Sequence, residues 1–144
     1  MNIVRHFLNA AAQNPENIAI VHNSKTITYG ELNKEVMKTV NALKNKGYQS
    51  GNNLMVMIPF SIELYIHILA IFTLGANVVL VDEIKPKSRV TYAFGKAKCK
   101  AIVTTRKLSF LKYLLFHFSL WNKVISLKRV SESHLTLYVA LLSS

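Results

Sequence analysis

The chain has one cysteine, three prolines and seven acidic residues among its 144 positions. Cys99, being alone, cannot close an internal disulfide, which excludes a disulfide scaffold and fits a reducing, cytoplasmic location. The five glycines, Gly30, Gly47, Gly51, Gly75 and Gly95, are too dispersed for a phosphate-cradling loop, which needs glycines close together so that backbone N–H groups can reach the anion. The five histidines (His6, His22, His67, His117 and His134) have no metal-ligand spacing with one another or with the lone cysteine. Ser61 and Ser109 lie in no nucleophile elbow, and Ser61 reads as a helix N-cap. His67 and His117 fall within apolar helices and read as packed histidines. The opening Met1-Asn2-Ile3-Val4-Arg5-His6 lacks the layout of a secretory leader. No catalytic, cofactor-binding or metal-binding residue is assigned on these grounds.

Acidic residues are scarce against eighteen basic ones, and between Ile84 and Val130 there are twelve basic residues and none acidic. Such an excess attracts anions. The basic residues are spread over turns and several elements rather than along one helix face, and no nucleic-acid module accompanies them. They read as solvated surface, and no nucleic-acid partner is expected.

The chain is rich in one thing, a long uncharged apolar stretch. Leu64 to Val81 is 18 residues without a charge, the length at which a membrane span must be weighed. Its character changes midway. Leu54 to Ile58 is a short apolar block closed by Pro59; Ser61 opens a segment with Leu64, Ile68, Ile71 and Phe72 at helical spacing. Gly75 stands where a left-handed helix cap belongs, and Val78 to Val81 is β-branched and of strand length. Strand, helix, strand is therefore the reading, with both strands apolar throughout, as in parallel strands covered on both faces. A single-span membrane protein is the alternative.

The flanks extend the alternation. Asn2 to Gln13 is helical; Asn17 to Val21 and Lys25 to Thr28 form a hairpin around His22-Asn23-Ser24. Thr28 and Glu31 have capping-box spacing before a helix with Leu32, Val36, Met37, Val40 and Leu43 on one face, ended by Gly47. Beyond Asp82, Pro86 starts a helix over Lys87 to Lys96 with Val90 and Phe94 inward; Ala101 to Thr104 is a strand; Leu108 to Trp121 is an apolar helix; Lys123 to Leu127 is a further strand. Ser131 to Ser144 receives no element. The fold class is α/β, a partial doubly wound parallel sheet with flanking helices preceded by a short β-hairpin. Ligands on such sheets collect outside the carboxyl ends of the strands, here Pro59, Asp82, Thr104-Thr105 and Leu127. Asp82 with Glu83 reads as a turn before Pro86, and Thr104-Thr105 reads equally as a phosphate donor or a plain strand exit.

Taken in order, Asn17-Ile18-Ala19-Ile20, Thr28-Tyr29-Gly30-Glu31-Leu32, Gly47, Gly51, Ile58-Pro59-Phe60-Ser61-Ile62-Glu63, Gly75-Ala76-Asn77-Val78-Val79 and Lys98-Cys99-Lys100-Ala101-Ile102-Val103 resemble the N-terminal portion of adenylate-forming (AMP-binding) enzymes. These include acyl-CoA synthetases, luciferases and peptide-synthetase adenylation domains. The match covers about Asn14 to Thr105 and extends toward Leu127. The resemblance implies ATP- and Mg2+-dependent activation of a carboxylate to an acyl-adenylate, then transfer to a thiol such as coenzyme A or a carrier. Asn52 stands where the family commonly has Asp, and Val81 where it commonly has Pro. The family's Ser/Thr/Gly-rich phosphate loop, its later acidic motif and its lid with the catalytic lysine have no counterpart in these residues. The expectation is a truncated scaffold, inactive alone, that binds no cofactor itself: residues 1–130 as a partial domain and 131–144 as a divergent tail. Its expected partner is the remainder of the same enzyme, or a second copy met through the apolar helix 108–121. The alternative is a non-catalytic binding half-domain.

Overall fold

The computed structural model describes residues 3–81, 87–105, 124–126 and 137–141. Asp82, Glu83, Pro86, His117, Leu127 and the expected helix 108–121 lie outside them. The elements run α1 (Ile3–Gln13), β1 (Ile18–His22), β2 (Lys25–Thr28), α2 (Tyr29–Asn45), β3 (Asn53–Met57), α3 (Ile62–Thr73), β4 (Asn77–Leu80), α4 (Lys87–Lys96), β5 (Ala101–Thr105), β6 (Val124–Ser126) and β7 (Leu137–Leu141).

β1 and β2 form the expected antiparallel hairpin, with Asn23 in the left-handed region at φ 53°. The main sheet has the order β4-β3-β5-β7-β6; β3 is parallel to both β4 and β5. The chain thus leaves β3 on one side for β4, then crosses back over it to β5. α3 covers one face on the way out and α4 the other on the way back. Alternate β3 residues divide between two cores. Leu54, Val56 and Ile58 pack with Leu43, Leu64 and Ile71 beneath α2 and α3. Met55 and Met57 pack with Val90, Phe94 and Ile102 beneath α4. This is why β3 reads as continuously apolar: its period-two pattern is present, but both faces are dry.

The tail departs from expectation. Residues 137–141, given no element from the sequence, form β7, which runs antiparallel to β5 and lies between β5 and β6.

The membrane-span alternative for Leu64 to Val81 is overturned. Gly75, at φ 80°, divides the run between the 12-residue helix α3, which starts at Ile62, and the strand β4. Among the described residues no helix is long and apolar enough to cross a membrane.

The capping box expected at Thr28 and Glu31 is present. Thr28 Oγ1 accepts from the Glu31 N–H at 3.3 Å while the Thr28 N–H donates to Glu31 Oε2 at 3.0 Å. The Tyr29 N–H reaches Asn17 O at 2.9 Å and the Gly30 N–H reaches Pro15 O at 2.8 Å, so this block also fastens the connection after α1 to the start of α2. A Cβ on Gly30 would stand 3.2 Å from both Pro15 Cβ and Pro15 O.

Three helices end alike. After α2, the N–H of Gly47 bonds Lys44 O and that of Tyr48 bonds Leu43 O; after α3, Gly75 bonds Phe72 O and Ala76 bonds Ile71 O. After α4, Lys98 bonds Gly95 O and Cys99 bonds Phe94 O. Each is a Schellman closure with its pivot at positive φ, and the third places Lys98 (φ 49°) where the others have glycine.

One face assignment on α2 changes. Met37, expected inward, is 41% exposed, whereas Thr39 is buried. The Thr39 hydroxyl donates to Glu35 O at 2.9 Å, which satisfies it without leaving the helix.

Candidate functional site

The direction of the crossovers reverses between β3 and β5. A doubly wound sheet opens its ligand crevice at that point, outside the carboxyl ends of the two strands. Met57 and Thr104 face each other there in register. The Thr104 hydroxyl donates to Met57 O at 2.9 Å, across the gap between the strand ends. The reading of Thr104 as a strand exit therefore has a physical partner, and the hydroxyl proton is already engaged. Thr105 belongs to β5.

The loop after β3 is similarly self-contained. Ser61 Oγ donates to Pro59 O at 2.8 Å and accepts from the Leu64 N–H at 3.3 Å, confirming it as the N-cap of α3. Phe60 is 70% exposed; it meets Tyr65 edge-on with ring centroids 5.7 Å apart and His22 at 6.2 Å.

His67 is the packed histidine that its helix implied. Its Nδ1–H donates to Glu63 O at 2.6 Å, and burial of the ring pushes its pKa down to about 4, outweighing the opposing effect of that hydrogen bond. The ring is neutral at physiological pH. Burial also raises the Cys99 thiol and pushes the Tyr48 phenol up to about 12. Neither group is activated for chemistry at neutral pH.

A groove of about 510 Å³ lies between β2 and the first turns of α2 and α3. Its floor is Ile27, Ile62 and Ile66, and its rim carries Lys25, Lys34 and Glu63. Of the other carboxylates lining it, Glu31 is engaged in the capping box and Glu35 pairs with Lys38 at 2.7 Å.

The two departures from the family pattern have structural explanations. Asn52 Oδ1 accepts from the Gln49 N–H at 3.1 Å, a role an Asp oxygen fills equally well. Val81 donates its N–H to Val56 O at 3.1 Å, a ladder bond that proline cannot make. Sequence reasoning missed Asn53. Its Nδ2 donates to Ala97 O at 2.7 Å, its Oδ1 accepts from Asn77 Nδ2 at 2.8 Å, and its backbone O accepts from Lys100 N at 2.8 Å. Asn53 thus ties together the amino ends of all three parallel strands. An asparagine at a strand start carries no signal of such long-range bonds.

Among the described residues no three His, Cys, Asp or Glu side chains are grouped to hold a metal ion. The Thr104 and Ser61 hydroxyls beside the strand ends are committed to backbone.

The family model described as AMP-binding enzyme matches residues 7–136. Tyrocidine synthase 1 of Brevibacillus parabrevis is 33% identical over 95 residues, 66% of this chain but 9% of that protein. The N-terminal subdomain of Klebsiella oxytoca NpsA, solved in complex with anthranilyl-AMSN, superposes with a TM-score of 0.67 at 25% identity, covering 70% of this chain and 27% of that one. The fold also matches the unliganded O-succinylbenzoate coenzyme A synthetase of Bacillus subtilis (TM-score 0.69, 18% identity, 75% of this chain and 24% of the other). The match thus spans less than a tenth of the synthase and about a quarter of the solved structures.

Proposed function

Since the chain belongs to the AMP-binding enzyme family, we propose that it is the opening scaffold of an ATP-dependent, carboxylate-activating ligase and does not form an acyl-adenylate by itself. In the family reading, the whole enzyme joins a carboxylate to ATP with Mg2+, releases pyrophosphate and passes the acyl group to a thiol. The residues here supply the first parallel strands and the helices that cover them. The observation that carries the inactivity is the engagement of Thr104 with Met57 O at the point where such a sheet receives its ligand. Charge on a transferring phosphoryl group needs donors aimed at it, and the Thr104 and Ser61 hydroxyls here are turned to backbone. The absence of a Ser/Thr/Gly-rich phosphate loop from these residues supports the same reading. Residues 1–130 form the scaffold and residues 131–144, divergent from the family in sequence, add β7 to its sheet, in a protein of the cytoplasm that works together with the rest of the enzyme.

The test is ATP–pyrophosphate exchange by the purified chain with panels of amino, aryl and fatty acids. Exchange at background is expected for every acid. Exchange above background with any of them overturns the proposal.

A further inference from the structure

One strand of the main sheet runs against the others. β4, β3 and β5 are parallel, β7 is antiparallel to β5, and β6 is antiparallel to β7. β6 therefore runs in the same direction as β5, although β7 stands between them. Register carries the likeness further. Ile102, Val103 and Thr104 of β5 face Ala140, Val139 and Tyr138 of β7, and those same three face Val124, Ile125 and Ser126 of β6. β6 is thus level with β5, residue for residue, but one strand position farther out. To pair with β5 directly it needs no reversal and no change of register, only a step inward of about 4.8 Å, one strand spacing. Residues 106–123 between β5 and β6 exceed the roughly dozen that a parallel connection requires. The strand in between is also the newcomer. β6 lies inside the family match, which ends at residue 136, and β7 lies beyond it.

We propose that β7 is a strap that holds the sheet in a mixed form: when it is drawn off, β6 closes onto β5 and leaves the order β4-β3-β5-β6, parallel throughout. β7 pairs along all of β5 and all of β6, so the mixed form is the resting one. Release does not leave β5 bare. Ala101, Ile102 and Val103 are buried and belong to the cores on both faces, so this strand needs a neighbour on each side, and β6 is already level with it. The exchanged sheet is the doubly wound one that the alternation of strand and helix implies, and its outer strand has the direction that further parallel strands require. Use of that edge by the rest of the enzyme rests on the scaffold reading; the exchange of strands does not.

NMR spectroscopy of the whole 144-residue chain carrying Val139→Pro tests it. β7 has a strand on each side, so proline at its middle residue removes a ladder hydrogen bond and breaks it. In the unaltered chain β5 and β6 are two strand spacings apart, about 10 Å, and give no nuclear Overhauser contacts with each other. In Val139→Pro such contacts are expected between the backbone protons around Val103 and those around Ile125. The amides of 137–141 are expected to exchange with solvent about tenfold faster or more, while the β6 amides that bonded β7 stay protected. Contacts of β3 with β4 and β5 report that the fold is intact. Val139→Gly is a milder break; it is expected to show the same β5–β6 contacts in part of the population, and it decides the matter if the proline variant unfolds. Absence of β5–β6 contacts from both variants, with β6 released together with β7 or β7 still in place, overturns the proposal. The measurement reads strand pairing alone, so it can fail while background pyrophosphate exchange still upholds the scaffold reading.

Discussion

β3 and β4 are adjacent, parallel and written in nearly the same apolar alphabet, yet they do different work. Leu54 to Met57 are at most 2% exposed, whereas in β4 Val78 and Val79 are only partly buried and Leu80 is 56% exposed. β3 has a strand on each side and a helix layer on each face; β4 has one strand beside it and an open edge among the described residues. Two strands of equal hydrophobicity can therefore hold a core or offer a surface, and neighbours rather than composition decide which.

The contrast is felt most strongly in a truncation within β3. Leu54→Ala is expected to lower stability by about 2–5 kcal/mol, since the side chain is wholly enclosed between α2, α3 and the sheet. Chemical denaturation measures it, and a loss no greater than that of an edge position would erase the distinction between the strands.

The turns leading into the two strands extend it. Gly47 and Gly75 both sit at positive φ, but a Cβ at Gly47 meets nothing within 4 Å, whereas one at Gly75 stands 2.7 Å from Ser50 Oγ. Gly75→Ala should cost about 2–3 kcal/mol and Gly47→Ala about half that, the difference being the contact with Ser50. Equal losses would show that backbone strain alone governs both turns.

His67 reports how firmly α3 is seated over β3. Its pKa falls from 6.5 to about 4 on folding, so the unfolded chain binds the extra proton between those values. The contribution is complete above about pH 6.5 and is lost as pH drops toward 4, by up to about 1.4 kcal/mol per pH unit. Urea midpoints at pH 7 and pH 5 should differ accordingly, and His67→Gln should flatten the difference. An unchanged slope in that variant would assign the acid sensitivity to the carboxylates.

Smaller effects come from β5 and β4. Lys98→Gly relieves the left-handed pivot before β5 and should stabilise by about 1 kcal/mol, bringing the third turn into line with the other two. Leu80→Ala, at the edge, should change stability by less than about 0.5 kcal/mol. Both changes are read from urea midpoints.

Much of this was legible in the residues. Thr28 with Glu31, Ser61, Gly47 and Gly75 act within one helical turn, and each has the cap or closure that its spacing implies. The alternation of strand and helix through Ala101 follows from short apolar blocks punctuated by Pro59 and Gly75. Contacts between segments distant in sequence were not legible. Asn53 joins Ala97 and Lys100 across more than forty positions, and Thr104 reaches Met57 across a similar distance. Nor does helical spacing distinguish Met37 from Thr39, because a threonine that bonds its own helix backbone is buried at little cost.

Caps, turns and periodicity act over a few residues, so the order of residues was enough to set where these helices and strands begin and end, and to carry the blocks that mark the family. Three things waited for the packed molecule: that β3 is central and β4 an edge, that Thr104 is spent on Met57, and that residues 137–141 lie against β5. These depend on which strand lies beside which, and strand pairing is a non-local choice that an apolar run leaves open.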